Sequence, residues 1–525
     1  MTRAVWIATL VAAAVLLRAA ISLHSYSGEG KPPMFGDFEA QRHWQEVTVN
    51  LPIRDWYKNT TDNDLMYWGL DYPPLTAYHS FLIGMWAQMK DPSFVKLHES
   101  RGIATSEHKN FMRNTVLLAD VLYIPAIMFA CYTIRKKLDE KSDFQNSLLA
   151  MALAVLYPGQ ILIDNGHFQY NNVSLGLAAL AVSAILVDRN LLAAVLFVLA
   201  LNYKQMELYH ALPFFFYLLS WCFRHPRLSD GIWNLLKLAS LVTAAFIIIW
   251  SPWLISLNST IQVLHRVFPV ARGVFEDKVS NVWCIVNVFV KLRDFDNSMM
   301  AMFCLICTMF AVIPSSLHLL FRPFKRNFVL ALFNSALGFF LFSFQVHEKS
   351  ILLATLPAVL LLQIYPFHCF WFLQVATFSM IPLLYKDGLL SAYFGCTLLI
   401  LILTKLGLSM AHYFSLPDNY IDIFNIRLLS SNTEKKSSPA LVYAFYGSLI
   451  GQSLLLSAFI CVSPPARLPF LWPLLISAYS CGHFVLFFIY FNYLQFFSYC
   501  NVKISDSRSA IGKSGKQTKR KVKTK

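Results

Sequence analysis

A carboxylate that takes a proton from a hydroxyl must be held still beside water. The string Trp68-Gly69-Leu70-Asp71-Tyr72-Pro73-Pro74 sets Asp71 on such a perch. The proline rings fix φ, and Tyr72, which precedes a proline, is pushed to an extended conformation. Asp71 is therefore the candidate proton acceptor. Read alone, Asp-Tyr-Pro-Pro is only a solvated turn; the other polar clusters decide otherwise. Asp37 and Glu39 flank Phe38, a spacing that suits a divalent cation or the hydroxyls of an acceptor sugar, although two carboxylates make a thin metal site. His167-Phe168-Gln169-Tyr170-Asn171 mixes aromatic faces with neutral polar groups, which suits a sugar ring and equally an aromatic belt at a membrane surface. Lys204, Glu207 and His210 fall on adjacent helical turns, as ligand contacts or as a buried Lys204–Glu207 pair. His347-Glu348-Lys349 lies between apolar runs, either as an ordinary loop or as a phosphate pocket with His347 and Lys349 as donors. Arg272 and Lys278 would serve the same anion, or pair with Glu276 and Asp277.

These groups must be carried by membrane helices. Apolar residues make up 56% of the chain and charged ones 14%, well below the roughly 25% of a soluble domain. Fourteen spans are expected, at 4–23, 115–134, 148–163, 173–187, 191–203, 209–223, 235–255, 299–321, 328–344, 350–364, 367–385, 389–408, 441–462 and 468–491. The first reads as an uncleaved anchor, with Arg18 near its far end snorkelling to the interface. Segment 75–89 reads as an interfacial helix within a long first loop, 24–113.

With the amino terminus in the cytosol, Arg135-Lys136-Lys137, Arg189, Arg322, Arg326 and Lys435-Lys436 all fall on the cytosolic side. So does the tail, which carries nine Lys or Arg against Asp506. The net charge of +15 therefore reports topology and not a nucleic-acid partner. Every cluster named above then lies on the opposite face, as do the sequons at Asn59, Asn172 and Asn258. The chain divides into a catalytic module (1–257), a second transmembrane module (258–499) and a basic cytosolic tail (500–525). No Walker or dinucleotide fingerprint appears, and the cysteines show neither a disulfide framework nor zinc spacing.

Gly36–Trp44, Gly69–Pro74, His167–Asn171, Asn202–Pro213 and Phe342–Ile351, in that order, resemble the dolichyl-phosphate-glucose-dependent α-1,3-glucosyltransferases of the endoplasmic reticulum. The resemblance implies an all-α polytopic membrane protein of the GT-C fold with luminal chemistry. The implied reaction is inverting transfer of glucose from dolichyl phosphate glucose to the lipid-linked oligosaccharide Man9GlcNAc2-PP-dolichol. It maps the family's acid to Asp71 and, since position 39 is Glu where some relatives have a second Asp, implies no metal. Phosphate would fall to His347, Lys349, Arg272 and Lys278. Sugar would fall to Asp37, Glu39, His167, Gln169, Tyr170, Lys204 and Glu207. Membrane lipid is the surrounding partner, and no obligatory protein partner is evident. The lysines at 521, 523 and 525 resemble a retrieval signal. The alternatives are the sister enzyme that adds the second glucose and a lipid-linked-oligosaccharide flippase or transporter. A transporter would place polar groups near the midplane and show internal repeats.

Overall fold

The computed structural model describes residues 2–138, 144–224, 227–268, 279–413 and 439–521, and every regular element within them is helical. The first half runs α1 (Arg3–Ile21), α2 (Gly36–Asn50), α3 (Pro74–Lys90), α4 (Ser106–Leu138), α5 (Phe144–Val155), α6 (Pro158–Ile161), α7 (Asn171–Leu186), α8 (Asn190–Tyr203), α9 (Leu208–Phe223) and α10 (Leu228–Trp250). The second runs α11 (Leu257–Val267), α12 (Val282–Phe289), α13 (Asn297–Phe321), α14 (Lys325–Phe342), α15 (Ile351–Leu361), α16 (Pro366–Ser379), α17 (Ile381–Lys386), α18 (Leu390–Tyr413), α19 (Pro439–Cys461) and α20 (Leu471–Lys521).

Each expected span overlaps a helix. Seven stretches among the described residues are long and apolar enough to cross a membrane: Arg3–Ile21, Ser106–Leu138, Ser147–Phe168, Leu228–Trp250, Asn297–Phe321, Tyr443–Cys461 and Leu471–Phe497. Others are shorter than the roughly 20 residues a bilayer asks for, such as α8 with 14. Segment 75–89 is α3, which is not among the apolar helices and packs on α2 and α8. With α2 it roofs one end of the bundle.

A single apolar core runs from Leu10 to Phe491 and so joins both halves. At its centre α14 is buried along nearly its whole length and is wrapped by α9, α13, α15 and α20. Arg18 does not snorkel. Seated on α4, it is fully buried and meets the Asp120 carboxylate at 3.1 Å, the Val155 carbonyl at 2.9 Å and Gln160 Oε1 at 2.9 Å. The Asn172 sequon lies inside α7 with its amide buried on the Val116 carbonyl, so it is out of reach in the folded chain.

Candidate active site

Beneath the roof lies a cavity of about 1160 Å³, reached by residues of both halves. Its charged centre is built by three departures from regular helix. The first follows α6, where Leu162–Phe168 winds wider, with Gln169 N–H reaching back five residues to the Asp164 carbonyl. Such a turn leaves carbonyls without helical partners. Arg113 of α4 supplies them, donating to Asn165 O at 2.6 Å and Gly166 O at 2.8 Å. The widened turn aims His167 into the cavity.

The second departure is the α14–α15 connection, which delivers Lys349, and the third is the turn after α17, which delivers Asp387. They meet Asp37, in the first turn of α2, where the helix dipole also favours an anion. His167 Nδ1 lies 2.6 Å from Asp387 Oδ2 and its Nε2 lies 3.0 Å from Asp37 Oδ2. The imidazole thus has a carboxylate at each nitrogen, and its Nε2 also stands 3.3 Å from Lys349 Nζ. Gln169 Nε2 and Lys349 Nζ converge on the same Asp37 oxygen. Burial alone would raise the Asp37 carboxyl, but the Lys349 ammonium and then the His167 ring hold it well below the usual carboxylate range. Lys349 is raised in return: Asp37 outweighs burial.

Asp71 also lines the cavity, and its loop is fixed by its backbone. Five consecutive carbonyls each accept a hydrogen bond from a side chain outside the loop. Trp44 Nε1 donates to Trp68 O (2.8 Å), Arg266 to Gly69 O (2.7 Å) and Leu70 O (3.3 Å), Gln205 Nε2 to Asp71 O (3.1 Å) and the Tyr57 hydroxyl to Tyr72 O (2.7 Å). A Cβ at Gly69 would stand 2.6 Å from Leu65 Cα, so only glycine lets the loop pass. The proline-stiffened perch is therefore also tethered.

The cavity gathers Asp37, Asp71, His167, Gln169, Lys204, His347 and Lys349 from the expected set. It leaves out three. Asp37 and Glu39 stand two apart on one helix, so they face different ways. Glu39 turns inward to Arg42 (2.6 and 2.8 Å), the Tyr67 hydroxyl and Gly102 N–H. Tyr170 packs inside, its hydroxyl 2.6 Å from that of Thr115. Lys204 and Glu207 do not pair, because the helix breaks at Lys204, whose backbone is extended. Glu207 bonds His210 at 2.8 Å, whereas Lys204 swings into the cavity onto Asn171 Oδ1 and over the Tyr72 ring at 5.0 Å. Burial, then the charge of Lys349, brings the Lys204 ammonium down to about 8. Arg272 and Lys278 lie outside the described residues.

Three participants escaped sequence reasoning. Asp387, in Lys386-Asp387-Gly388, looks like a plain turn beside its own lysine; its one signal was an acid between two apolar runs. Arg266 carried no signal and Gln205 only its place in the Asn202–Pro213 segment, since their partners lie 197 and 134 residues away.

A model described as the ALG6, ALG8 glycosyltransferase family matches residues 11–490. A Drosophila melanogaster protein named probable dolichyl pyrophosphate Man9GlcNAc2 alpha-1,3-glucosyltransferase is 49% identical over 92% of this chain and 96% of its own. The Gallus gallus and Mus musculus proteins named dolichyl pyrophosphate Man9GlcNAc2 alpha-1,3-glucosyltransferase are 47% and 46% identical, covering 91% and 93% of this chain and 94% and 96% of theirs. The crystal structure of ArnT from Cupriavidus metallidurans bound to undecaprenyl phosphate aligns over 94% of this chain and 78% of that one, with a TM-score of 0.37 and 13% identity.

Proposed function

The chain belongs to the ALG6, ALG8 glycosyltransferase family, and from that premise we propose that it transfers glucose from dolichyl phosphate glucose to Man9GlcNAc2-PP-dolichol, forming an α-1,3 linkage with inversion. The relatives' names support the acceptor and the linkage. The observation that carries the chemistry is one cavity that gathers the Asp71 and Asp37 carboxylates, beside Glu348 and Asp387, with Lys204, His347 and Lys349. A single displacement needs a base for the mannose 3-hydroxyl on one side of the anomeric carbon and positive charge for the departing phosphate on the other. Asp71, on its tethered loop, is the proposed base. His347 and Lys349 are the proposed phosphate donors, with Lys204 beside them. As the phosphate leaves, the anomeric carbon gains oxocarbenium character, which both carboxylates stabilise.

The geometry of Asp37 favours a second reading. Its three donors converge on Oδ2, and the other oxygen would take the proton while Asp71 orients the acceptor. No metal is needed in either reading: Asp37 and Asp387 each bond His167, and a cation at Asp37 would meet the Lys349 ammonium. We place the reaction on the luminal face of the endoplasmic reticulum membrane, with both termini cytosolic.

The test is the purified chain alone in lipid, with synthetic dolichyl phosphate glucose, EDTA, and acceptors bearing no glucose or one. Transfer to the unglucosylated acceptor only is the expected result. Transfer only to the monoglucosylated one moves the chain to the second-glucose reaction, and none to either removes the reading.

Lys204 gives a pH signature. Its proton is lost as pH rises through about 8, so the cavity loses a positive charge there. The KM for donor should climb above that pH in the wild type. In Lys204→Arg, which stays charged, it should stay flat. A parallel rise in both would take Lys204 away from the donor.

A further inference from the structure

One short helix turns exposed apolar side chains outward and its opposite face to the Asp71 loop. On α11, Leu257, Ile261, Leu264 and the capping Phe268 are between 41% and 75% exposed. At 3.6 residues per turn they fall within about 60° of one another, a single apolar stripe. Isolated exposed apolar side chains need no explanation, but a stripe does. It continues the surface of α10, a candidate membrane span with almost none of its apolar face buried, through Ile248, Leu254 and Ile255, which are also exposed. Lipid that covers α10 would thus run on over α11. That continuity, and the seat of α11 beside the end of a span, favours a lipid surface as the occupant over a protein.

The opposite face of α11 does different work. Arg266 stands about 180° from Leu257 and bonds two carbonyls of the Asp71 loop, Gly69 O at 2.7 Å and Leu70 O at 3.3 Å. Gln262 donates to Tyr57 O at 3.1 Å, and the Tyr57 hydroxyl bonds Tyr72 O. Gln205 bridges Asp71 O to Val267 O. Val263 and Val267 are buried between the two faces and make the seat firm.

We propose that α11 beds its apolar stripe in the membrane interface and that Arg266, as a positioning residue, uses this anchored helix to set where the Asp71 loop stands relative to the bilayer. The proposed donor carries its glucose directly on a lipid phosphate, so its anomeric carbon arrives at a height set by the membrane. A site built on a lipid-anchored helix shares that reference. A misplacement of about 1 Å is worth on the order of 100-fold in rate. The proposal rests on the reading that the Asp71 loop takes part in the transfer.

Two arms test it. A nitroxide on Ile261→Cys, with exposed Cys461 replaced by serine, is read in nanodiscs for collision with oxygen and with a water-soluble nickel chelate. Preferential collision with oxygen is expected; preferential collision with nickel overturns the lipid contact and leaves the stripe to another partner. For coupling, Arg266→Gln should lower kcat at least tenfold with KM for both substrates within twofold and Tm near wild type. Arg266→Lys, which reaches one carbonyl, should recover part of it. Ile261→Asp should lower kcat in the same way. Unchanged kcat in Arg266→Gln or in Ile261→Asp overturns the coupling, and a loss seen only in Tm reduces Arg266 to a structural role. If Asp71→Asn remains active, the underlying reading fails instead, and the nitroxide depth still reports on the stripe.

Discussion

Asp71→Asn should lower kcat by on the order of 100- to 10,000-fold, the range expected when a positioned base is removed. That is about 3–5 kcal/mol of barrier. Donor binding should survive, because asparagine keeps the shape and the five tethers act on the backbone, not on the carboxylate. The measurement is single-turnover transfer beside equilibrium binding of dolichyl phosphate glucose. Near-normal turnover takes the role of base away from Asp71 and leaves it to Asp37. Loss of binding along with turnover makes Asp71 a donor contact instead.

Asp37→Asn carries the second large effect, for a compound reason. It removes the carboxylate that Lys349 and His167 share and leaves the Lys349 ammonium to the weaker pull of Glu348 and Asp387. Breaking a fully buried pair from one side costs about 3–5 kcal/mol; Asp37 and Lys349 are 22% and 20% exposed, so a smaller loss of stability, read as a lower Tm, is expected along with lost turnover. Stability and chemistry are separated by adding Lys349→Met, which removes the stranded charge. Because Lys349 is itself a proposed phosphate donor, turnover of the double variant is read against Lys349→Met alone. A further loss with Tm recovered assigns Asp37 a part in the reaction itself, and no further loss makes it a latch between α2 and the α14–α15 connection. The linkage has a definite sign. A carboxyl held below its usual range stabilises the fold at pH values above about 4, the ordinary aspartate range, and that contribution fades as pH falls through the lowered value. The Lys349 contribution fades only as pH rises beyond the ordinary lysine range.

The helical class and the convergence of polar clusters were legible because hydropathy and charge are local and cumulative. Asp71, His167 and Lys349 line one cavity for that reason. Reading failed where it assumed unbroken helix. Lys204 and Glu207 are spaced to be helical neighbours, yet the backbone extends at Lys204 and sends the two side chains apart. Asp37 and Glu39 failed in the opposite sense, since a helix separates residues two apart. Asp387 meets His167 across 220 residues, a contact that no window along the chain contains.

The burial of Arg18 bears on how the chain is made. Arg18 stands in the last turn of α1, where an arginine on a lone membrane helix would snorkel to the interface. Its carboxylate partner, Asp120, lies 102 residues further on, and its other acceptors, Val155 and Gln160, later still. During vectorial synthesis the first helix therefore emerges before its acceptors, and its arginine can turn inward only once α4 and the segment after it have followed. The amino-terminal helix is a guest of the bundle before it is an anchor for it.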